Sequence, residues 1–313
     1  MENFFCQFRE NRVKLPLKFH YLSMAQTFGW GIQPAEGVEM WDARPVITKR
    51  GFLAWAKLIL YPKKFALYRY MRKEFLGDKP RHTKILDVGC GTGGAIIELK
   101  KLFPRAEIAG IDVIQMQVDI ARSRFIEYGV EAQVEVYDGK NIPLEDHTVD
   151  IVYTSDVLGH VADVQHWLHE LNRVLKPGGR LAMFSESKLG QHAYIRNYLL
   201  RHGLNVDPHH EFHISLFSKK ELQQLLSDAG FVIEKMYSTV WAKFFVHPDE
   251  LYPALQSTNK FPLIKIMNAL LYWIKMKTRP VSLAIAELYS FIEMYTLGRW
   301  IESQGYMILG KKK

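Results

Sequence analysis

A glycine-rich turn preceded by an aspartate is the segment of this sequence whose chemistry is easiest to interpret. It follows the strand-like residues 84–88, which are apolar except for Lys84 and Asp87, and precedes the helix-like residues 95–103. The residues concerned are Asp87, Gly89, Gly91 and Gly93. Glycine lets the chain bend sharply and lets backbone N–H groups approach a ligand that a Cβ would obstruct. The pattern predicts a strand, a nucleotide-binding turn and a helix, in that order.

Two classes of nucleotide fit such a turn. The G-x-G-x-x-G spacing of dinucleotide-binding folds is present, and Asp112 stands near the position of their ribose-binding acid. The three glycines in that spacing are Gly89, Gly91 and Gly94. An NAD-binding oxidoreductase is therefore one candidate. Asp87, two residues before the first glycine, and the additional Gly93 favour a different class.

From this turn onward the sequence resembles the class I S-adenosylmethionine-dependent methyltransferases. The first motif, residues 86–93, is a near match to that family, and further matching segments follow in the family's order. These segments are 110–112, 138–139, 142–144, 149–152, 158–161, 173–179, 217–218 and 229–231. An ordered series of motifs is more specific than one glycine turn.

The resemblance implies a fold, a cofactor and a set of binding residues. The fold is α/β, with a doubly wound, mostly parallel seven-stranded sheet of the Rossmann-like methyltransferase type, and the cofactor is S-adenosylmethionine. Asp112 would accept hydrogen bonds from the ribose hydroxyls and Asp138 from the adenine amine. The implied cofactor-binding residues are Asp87, Gly89, Gly91, Gly93, Asp112, Asp138, Gly139 and Ser155. Taken alone, Asp112 is also a suitable helix N-cap and Asp138 an ordinary turn residue.

Apolar runs and helical patterns alternate along the centre of the chain, as in a doubly wound sheet. Strands are predicted at 84–88, 107–111, 132–137, 149–154, 180–185, 231–237 and 305–310, and helices at 115–128, 164–174 and 219–228. In the family that the chain resembles, the last strand closes the sheet as an antiparallel edge strand.

We expect four parts along the chain. They are a helical N-terminal extension or lid (1–80), the cofactor-binding core (81–238), a helical insertion (239–302), and the last core strand with a basic tail (303–313). Apolar residues recur at helical spacing over 263–274 and 283–292, which predicts at least two amphipathic helices. Placed beyond the carboxyl ends of the strands, such helices would form a cap over the substrate.

Methyl transfer needs a base only if the acceptor must lose a proton, because positioning and desolvation supply much of the rate. The candidate bases are His160, Glu186 and His192, and the candidate substrate or lid residues are Trp30, His210 and His213. The histidine cluster at 209–213 lacks cysteine and a clear fourth ligand, so we expect no metal site. Residues 28–31 surround Trp30 with glycines, which suits a lid, and they resemble a segment of sterol C-methyltransferases.

Basic charge is concentrated in the two flanks of the chain. The net charge is +8 over residues 1–73, −6 over 74–250 and +6 over 251–313. Residues 43–73 contain nine Lys or Arg and no acid, interleaved with aromatic residues, and residues 251–286 have five basic residues and no acid. Such surfaces suit an anionic membrane, an anionic substrate or nucleic acid. Solvated helical faces with snorkelling lysines are the simpler interpretation.

These features favour a methyltransferase acting on a small hydrophobic or lipid-like acceptor, such as a sterol or prenylated quinone, at a membrane surface. A polar small molecule, RNA or protein, and a cofactor-binding scaffold without catalysis remain alternatives. Nucleic acid is the weaker of these because no RNA-binding module or target-base motif is present. The N-terminus shows no secretory signal, and Cys6 and Cys90 form no disulfide framework, so we expect a cytoplasmic protein. The acceptor atom and the oligomeric state stay open.

Overall fold

The fold is taken from a computed structural model of the chain. It describes residues 42–75, 82–207, 210, 212–239 and 241–313, together with the backbone of a short hairpin formed by β1 (Ile32–Ala35) and β2 (Val38–Met40). Trp30 and His209 lie outside the described residues.

A seven-stranded sheet forms the centre of the molecule. Its strands are β3 (Lys84–Val88), β4 (Glu107–Asp112), β5 (Gln133–Val136), β6 (Val149–Ser155), β7 (Leu175–Ser185), β8 (Phe231–Ser238) and β9 (Tyr306–Lys312). Their order across the sheet is β5-β4-β3-β6-β7-β9-β8, and β9 alone runs antiparallel to its neighbours. The central strands are apolar without alternation because helices cover both faces. The predicted fold class is confirmed.

The position of β9 differs from the prediction. The strand was expected at the edge of the sheet, but it pairs with β7 on one side and with β8 on the other. Its first five residues are buried, whereas β8 is the edge strand and exposes Val232. Two antiparallel ladders hold β9 in place, so β8 can join the sheet only through β9.

Helices pack against both faces of the sheet. They are α3 (Gly94–Leu102), α4 (Gln115–Glu127), α5 (Val164–Val174) and α7 (Lys219–Asp228), whereas α6 (Tyr194–Arg201) packs against the helices that follow β8. One hydrophobic core lies under α5 and α7, with Trp167 fully buried, and a second lies under α3 and α4. Ser218 and Glu221 form a capping box that fixes the start of α7.

Two helices that precede the core pack onto the sheet rather than forming a separate unit. They are α1 (Phe52–Leu58) and α2 (Pro62–Met71). Tyr70 on α2 donates a hydrogen bond to the carbonyl of Gly310 in β9 at 2.8 Å. Tyr68 and Lys64 donate to the fully buried carboxylate of Glu98 on α3, at 2.6 Å and 2.8 Å. These contacts attach α2 to the helix that follows the glycine turn.

The insertion between β8 and β9 is helical, as predicted. It consists of α8 (Lys243–Val246), α9 (Pro248–Gln256), α10 (Pro262–Lys277) and α11 (Val281–Thr296). A buried ion pair between Lys275 and Asp249 at 2.5 Å, and a hydrogen bond from Asn268 to the Pro248 carbonyl at 3.0 Å, join α10 to α9. Among the described residues no helix is long and apolar enough to span a membrane.

Candidate cofactor and acceptor sites

The glycine turn adopts a backbone conformation that side chains disfavour. Gly89, Gly91 and Gly93 have φ angles of +74°, +51° and +78°. A Cβ on Gly89 would also lie 2.3 Å from Cγ2 of Val157, which follows β6. The Gly89 N–H donates to the carbonyl of Ile111 at 2.8 Å, so the turn is held against the end of β4.

Asp112 ends β4 and faces this turn. It is buried, and its Oδ2 accepts a hydrogen bond from the Gly91 N–H at 2.8 Å while Oδ1 accepts from the Ile114 N–H at 2.9 Å. Burial raises the pKa of this carboxyl. No side chain caps α4, so Asp112 orders the turn instead of acting as its N-cap. A carboxylate has about four lone-pair sites, so two remain for ribose hydroxyls.

Asp87 supplies a second buried carboxyl next to Asp112. Burial and the neighbouring charge of Asp112 raise its pKa well above the usual range. Its Oδ2 is buried and has no hydrogen-bond partner among the described residues. A buried polar atom without a partner is costly, and a ligand that donates a hydrogen bond here would remove the penalty.

Asp138 and Gly139 follow β5, as predicted, but Asp138 is exposed and forms a turn. Its Oδ1 accepts from the backbone N–H groups of Lys140 at 2.8 Å and Asn141 at 2.7 Å. Gly139 has a φ angle of +76°, and a Cβ there would lie 3.1 Å from Cγ1 of Val113. The adenine contact of Asp138 therefore stays a prediction.

A cavity of about 370 Å³ lies beyond the carboxyl ends of β6 and β7. Its walls come from α2, α6, the segments that follow β6, β7 and β8, and the insertion helices. Six of the charged residues in these walls are Lys63, Asp156, Glu186, Arg196, Lys243 and Glu250. Asp156 lines the cavity while the adjacent Val157 contacts the glycine turn, so the cavity and the turn share one segment.

Two carboxyl groups and a lysine form the polar end of the cavity. Lys63 donates to Asp156 at 3.3 Å, and Ser155, predicted as a cofactor residue, donates to Asp156 at 2.7 Å. Burial and the nearby Asp156 raise the pKa of Glu186 well above its usual range. Burial opposes ionisation of Asp156. The charge of Lys63 and the hydrogen bonds that Asp156 accepts nevertheless keep the pKa of Asp156 below the ordinary value. The environment thus favours the protonated form of Glu186 and the ionised form of Asp156.

The candidate histidines lie in different places. His160 and His213 line the cavity, and their rings are 5.2 Å apart. His213 Nδ1 lies 2.9 Å from Asp207 Oδ2. His192 does not line this cavity: its Nδ1 accepts from the Glu302 N–H at 3.0 Å, which holds the end of the insertion.

His210 is exposed and also lies outside the cavity wall. Within the described part of the chain, no cluster of His, Cys, Asp or Glu is arranged to hold a metal ion.

Comparison with known proteins shows where this core belongs. A family model described as a methyltransferase domain matches residues 85–179, which run from β3 into β7 and include the glycine turn and Asp112. Residues 85–179 thus match a methyltransferase domain, as the resemblance to the class I S-adenosylmethionine-dependent methyltransferases predicted.

Named relatives of the methyltransferase core act on different acceptors. The chain is 31% identical to an O-methyltransferase of Penicillium expansum, over 48% of this chain and 52% of that protein. It is 33% identical to a demethylmenaquinone methyltransferase of Bacillus cytotoxicus, over 44% and 59%. It is 28% identical to a sterol 4-C-methyltransferase of Caenorhabditis elegans, over 32% and 30%. The matches thus span 30% to 59% of these relatives' lengths.

S-adenosylmethionine is the cofactor of the methyltransferase core, and the residues present fit it. The unpartnered Oδ2 of Asp87 can accept from the cofactor's amino group. Asp112 keeps lone pairs for the ribose hydroxyls, and the glycine backbone leaves room for the ligand beside it.

Several acceptor-side residues were not identified from sequence. Lys63, Arg196, Lys243 and Glu287 line the cavity of the methyltransferase, yet they come from α2, α6 and the insertion, far apart in the chain. Two features of the charge distribution in the sequence could have indicated two of these residues. Lys63 lies in the acid-free run 43–73, and Glu287 is the first acid after the acid-free run 251–286.

Proposed function

We propose that the chain transfers a methyl group from S-adenosylmethionine to a small amphipathic molecule whose polar end enters the cavity. The observation that carries this proposal is the segment after β6. Val157 in that segment packs against the glycine turn, and Asp156 lines the cavity. A methyl donor bound at the turn would therefore face the cavity. A volume of about 370 Å³ is at the small end of ligand pockets.

The polar end of the cavity has groups that could prepare an acceptor. S-adenosylmethionine, when bound, supplies a methyl group on a sulfonium sulfur that leaves as a neutral thioether. Asp156 is an ionised carboxylate that can accept the proton of an acceptor hydroxyl, with Lys63 stabilising the charge before transfer. Burial and Asp156 raise the pKa of Glu186, and in its protonated form Glu186 would donate a hydrogen bond to a neighbouring oxygen. The insertion contributes part of the wall at this end of the sheet.

The lipid-like part of the proposal rests on the outer face of the insertion. Helices α10 and α11 expose large apolar side chains in a nearly continuous series. They are Leu263, Ile266, Leu270, Trp273, Ile285, Leu288 and Ile292. Exposed apolar area of this kind marks interaction surfaces, and Lys277 lies beside it. The names of two relatives, a demethylmenaquinone methyltransferase and a sterol 4-C-methyltransferase, are compatible with an apolar acceptor body.

The acceptor class can be tested by following the methyl group. Incubation of the protein with methyl-labelled S-adenosylmethionine and a lipid-containing cell extract is expected to place label in the organic phase. An Asp112→Ala variant provides the background, because it should bind the cofactor poorly. Label confined to macromolecular precipitate would contradict a small-molecule acceptor.

A polar small-molecule acceptor is the second candidate, and the charged cavity wall favours it. Asp156, Glu250 and Lys243 would receive polar groups more readily than an unsubstituted hydrocarbon. In the same experiment this acceptor would carry the label into the aqueous phase.

Membrane binding is tested separately on the exposed face of α10. Trp273 and Leu270 are 58% and 56% exposed and lie one turn apart. Because burying one such side chain contributes about 1.5–3 kcal/mol, Leu270→Asp combined with Trp273→Asp is expected to weaken sedimentation with anionic vesicles at least about tenfold. Ile126→Asp, at an exposed apolar site on α4, is the matched control. Equal sedimentation of the double variant and the parent would contradict docking through α10.

A further inference from the structure

A buried arginine lines the acceptor cavity without a hydrogen-bond partner. Arg196 on α6 is 7% exposed. Its Nε and Nη1 atoms are buried, and neither has a partner among the described residues. A guanidinium carries five N–H donors in a fixed fork, and leaving two of its nitrogens unpaired in a buried position is costly.

The Nε and Nη1 atoms are not hydrogen-bonded to the carboxylates whose charges act on Arg196. Glu250 and Asp207 act on Arg196 through their charge. However, Glu250 forms an ion pair with Lys243, and Asp207 Oδ2 is 2.9 Å from His213 Nδ1. Burial lowers the pKa of Arg196, but arginine stays charged in proteins.

Other charged groups in the cavity wall either form ion pairs or have pKa values that disfavour their charged form. Lys63 is paired with Asp156, and burial together with Asp156 raises the pKa of Glu186, which disfavours its charged form. Glu287 has a pKa that burial raises to about 7, so it is only partly ionised near neutral pH. Among the described residues of this wall, Arg196 is therefore a cation with two nitrogen atoms that have no hydrogen-bond partner.

We propose that Arg196 binds an anionic oxygen group, a carboxylate or a phosphate, on the acceptor. A charge-assisted hydrogen bond to an oxyanion would satisfy an unpaired N–H of the guanidinium and help to fix the orientation of the molecule. Because Arg196 and Asp156 line the same cavity, the anion would be held in the cavity that receives the methyl group. That the bound molecule is the methyl acceptor rests on the proposed function; the anion site itself does not.

The anion site can be measured without any methyl transfer. Calorimetric titration with inorganic phosphate and, separately, with acetate is expected to show one saturable site, and the better anion indicates whether the natural group is a phosphate or a carboxylate. Since hydrogen bonds to charged groups contribute about 1.5–3 kcal/mol, Arg196→Gln should weaken binding about tenfold to a hundredfold. Arg196→Lys keeps the charge but loses the fork, so its affinity should be intermediate.

Arg201→Gln is the matched control, because Arg201 is exposed on the same helix. Binding of S-adenosylhomocysteine to every variant reports an intact fold; if Arg196→Gln fails this criterion, Arg196→Lys carries the test. Unchanged anion affinity in the folded Arg196 variant, or no saturable binding to the parent protein, overturns the inference. Failure of the proposed function would be seen instead as absent label transfer with anion binding intact.

Discussion

Asp112→Ala is expected to weaken binding of S-adenosylhomocysteine by about 3 kcal/mol, a factor of about a hundred. Two effects combine. The variant loses the acceptor for the ribose hydroxyls, and the Gly91 N–H loses the carboxylate oxygen that accepts its hydrogen bond at 2.8 Å. The turn would then lose one of its hydrogen bonds to the end of β4 as well as its ligand contact. Isothermal titration of the purified variant measures the change.

Two further variants separate these effects. Asp112→Asn retains one acceptor oxygen, so its affinity should lie between those of the parent and the alanine variant. Asp119→Ala, at a partly exposed position on α4, should bind normally. If Asp112→Ala bound S-adenosylhomocysteine as tightly as the parent, the ribose assignment would be wrong.

Glu98→Ala is expected to lower the free energy of unfolding by about 3–5 kcal/mol. The Glu98 carboxylate is fully buried and accepts hydrogen bonds from Lys64 and from Tyr68. Removing it leaves an ammonium group and a buried hydroxyl without their acceptor, which costs more than the pair itself contributes. Urea unfolding at neutral pH, followed by circular dichroism, measures the difference.

Two control variants show whether the loss of stability comes from the buried carboxylate of Glu98. Glu98→Gln preserves shape and one acceptor, so it should cost less than the alanine variant. Glu127→Ala removes an exposed acid from α4 and should change stability by less than about 0.5 kcal/mol. A loss below about 1 kcal/mol for Glu98→Ala would mean that the buried carboxylate does not hold α2 to α3.

The cofactor side of the molecule could be predicted because its determinants are local. Residues 84–88 form β3 as predicted, and the glycine turn follows within a few residues, so strand, turn and ligand groups occur in one short segment. Asp112 could be located for the same reason, as it directly ends the next strand.

The acceptor side could not be predicted to the same extent. Lys63, Arg196 and Glu287 come together only because α2, α6 and α11 pack around one cavity, and periodicity shows that a helix has an apolar face without showing its partner. The predicted position of β9 was wrong for the same reason. Its residues indicated a strand, but its place in the sheet depends on pairing with β7 and β8.

The pairing of β8 with β9 has a consequence for how acceptor specificity can change. Ser238 at the end of β8 lies opposite Tyr306 at the start of β9, so the two ends of the insertion leave and re-enter the sheet side by side. Loop-closure entropy changes slowly with loop length, so segments of different size can connect these two residues at similar cost. We therefore expect that exchange of the segment between Ser238 and Tyr306, with its contacts to α2 kept, changes the wall of the cavity while the glycine turn and Asp112 stay unchanged.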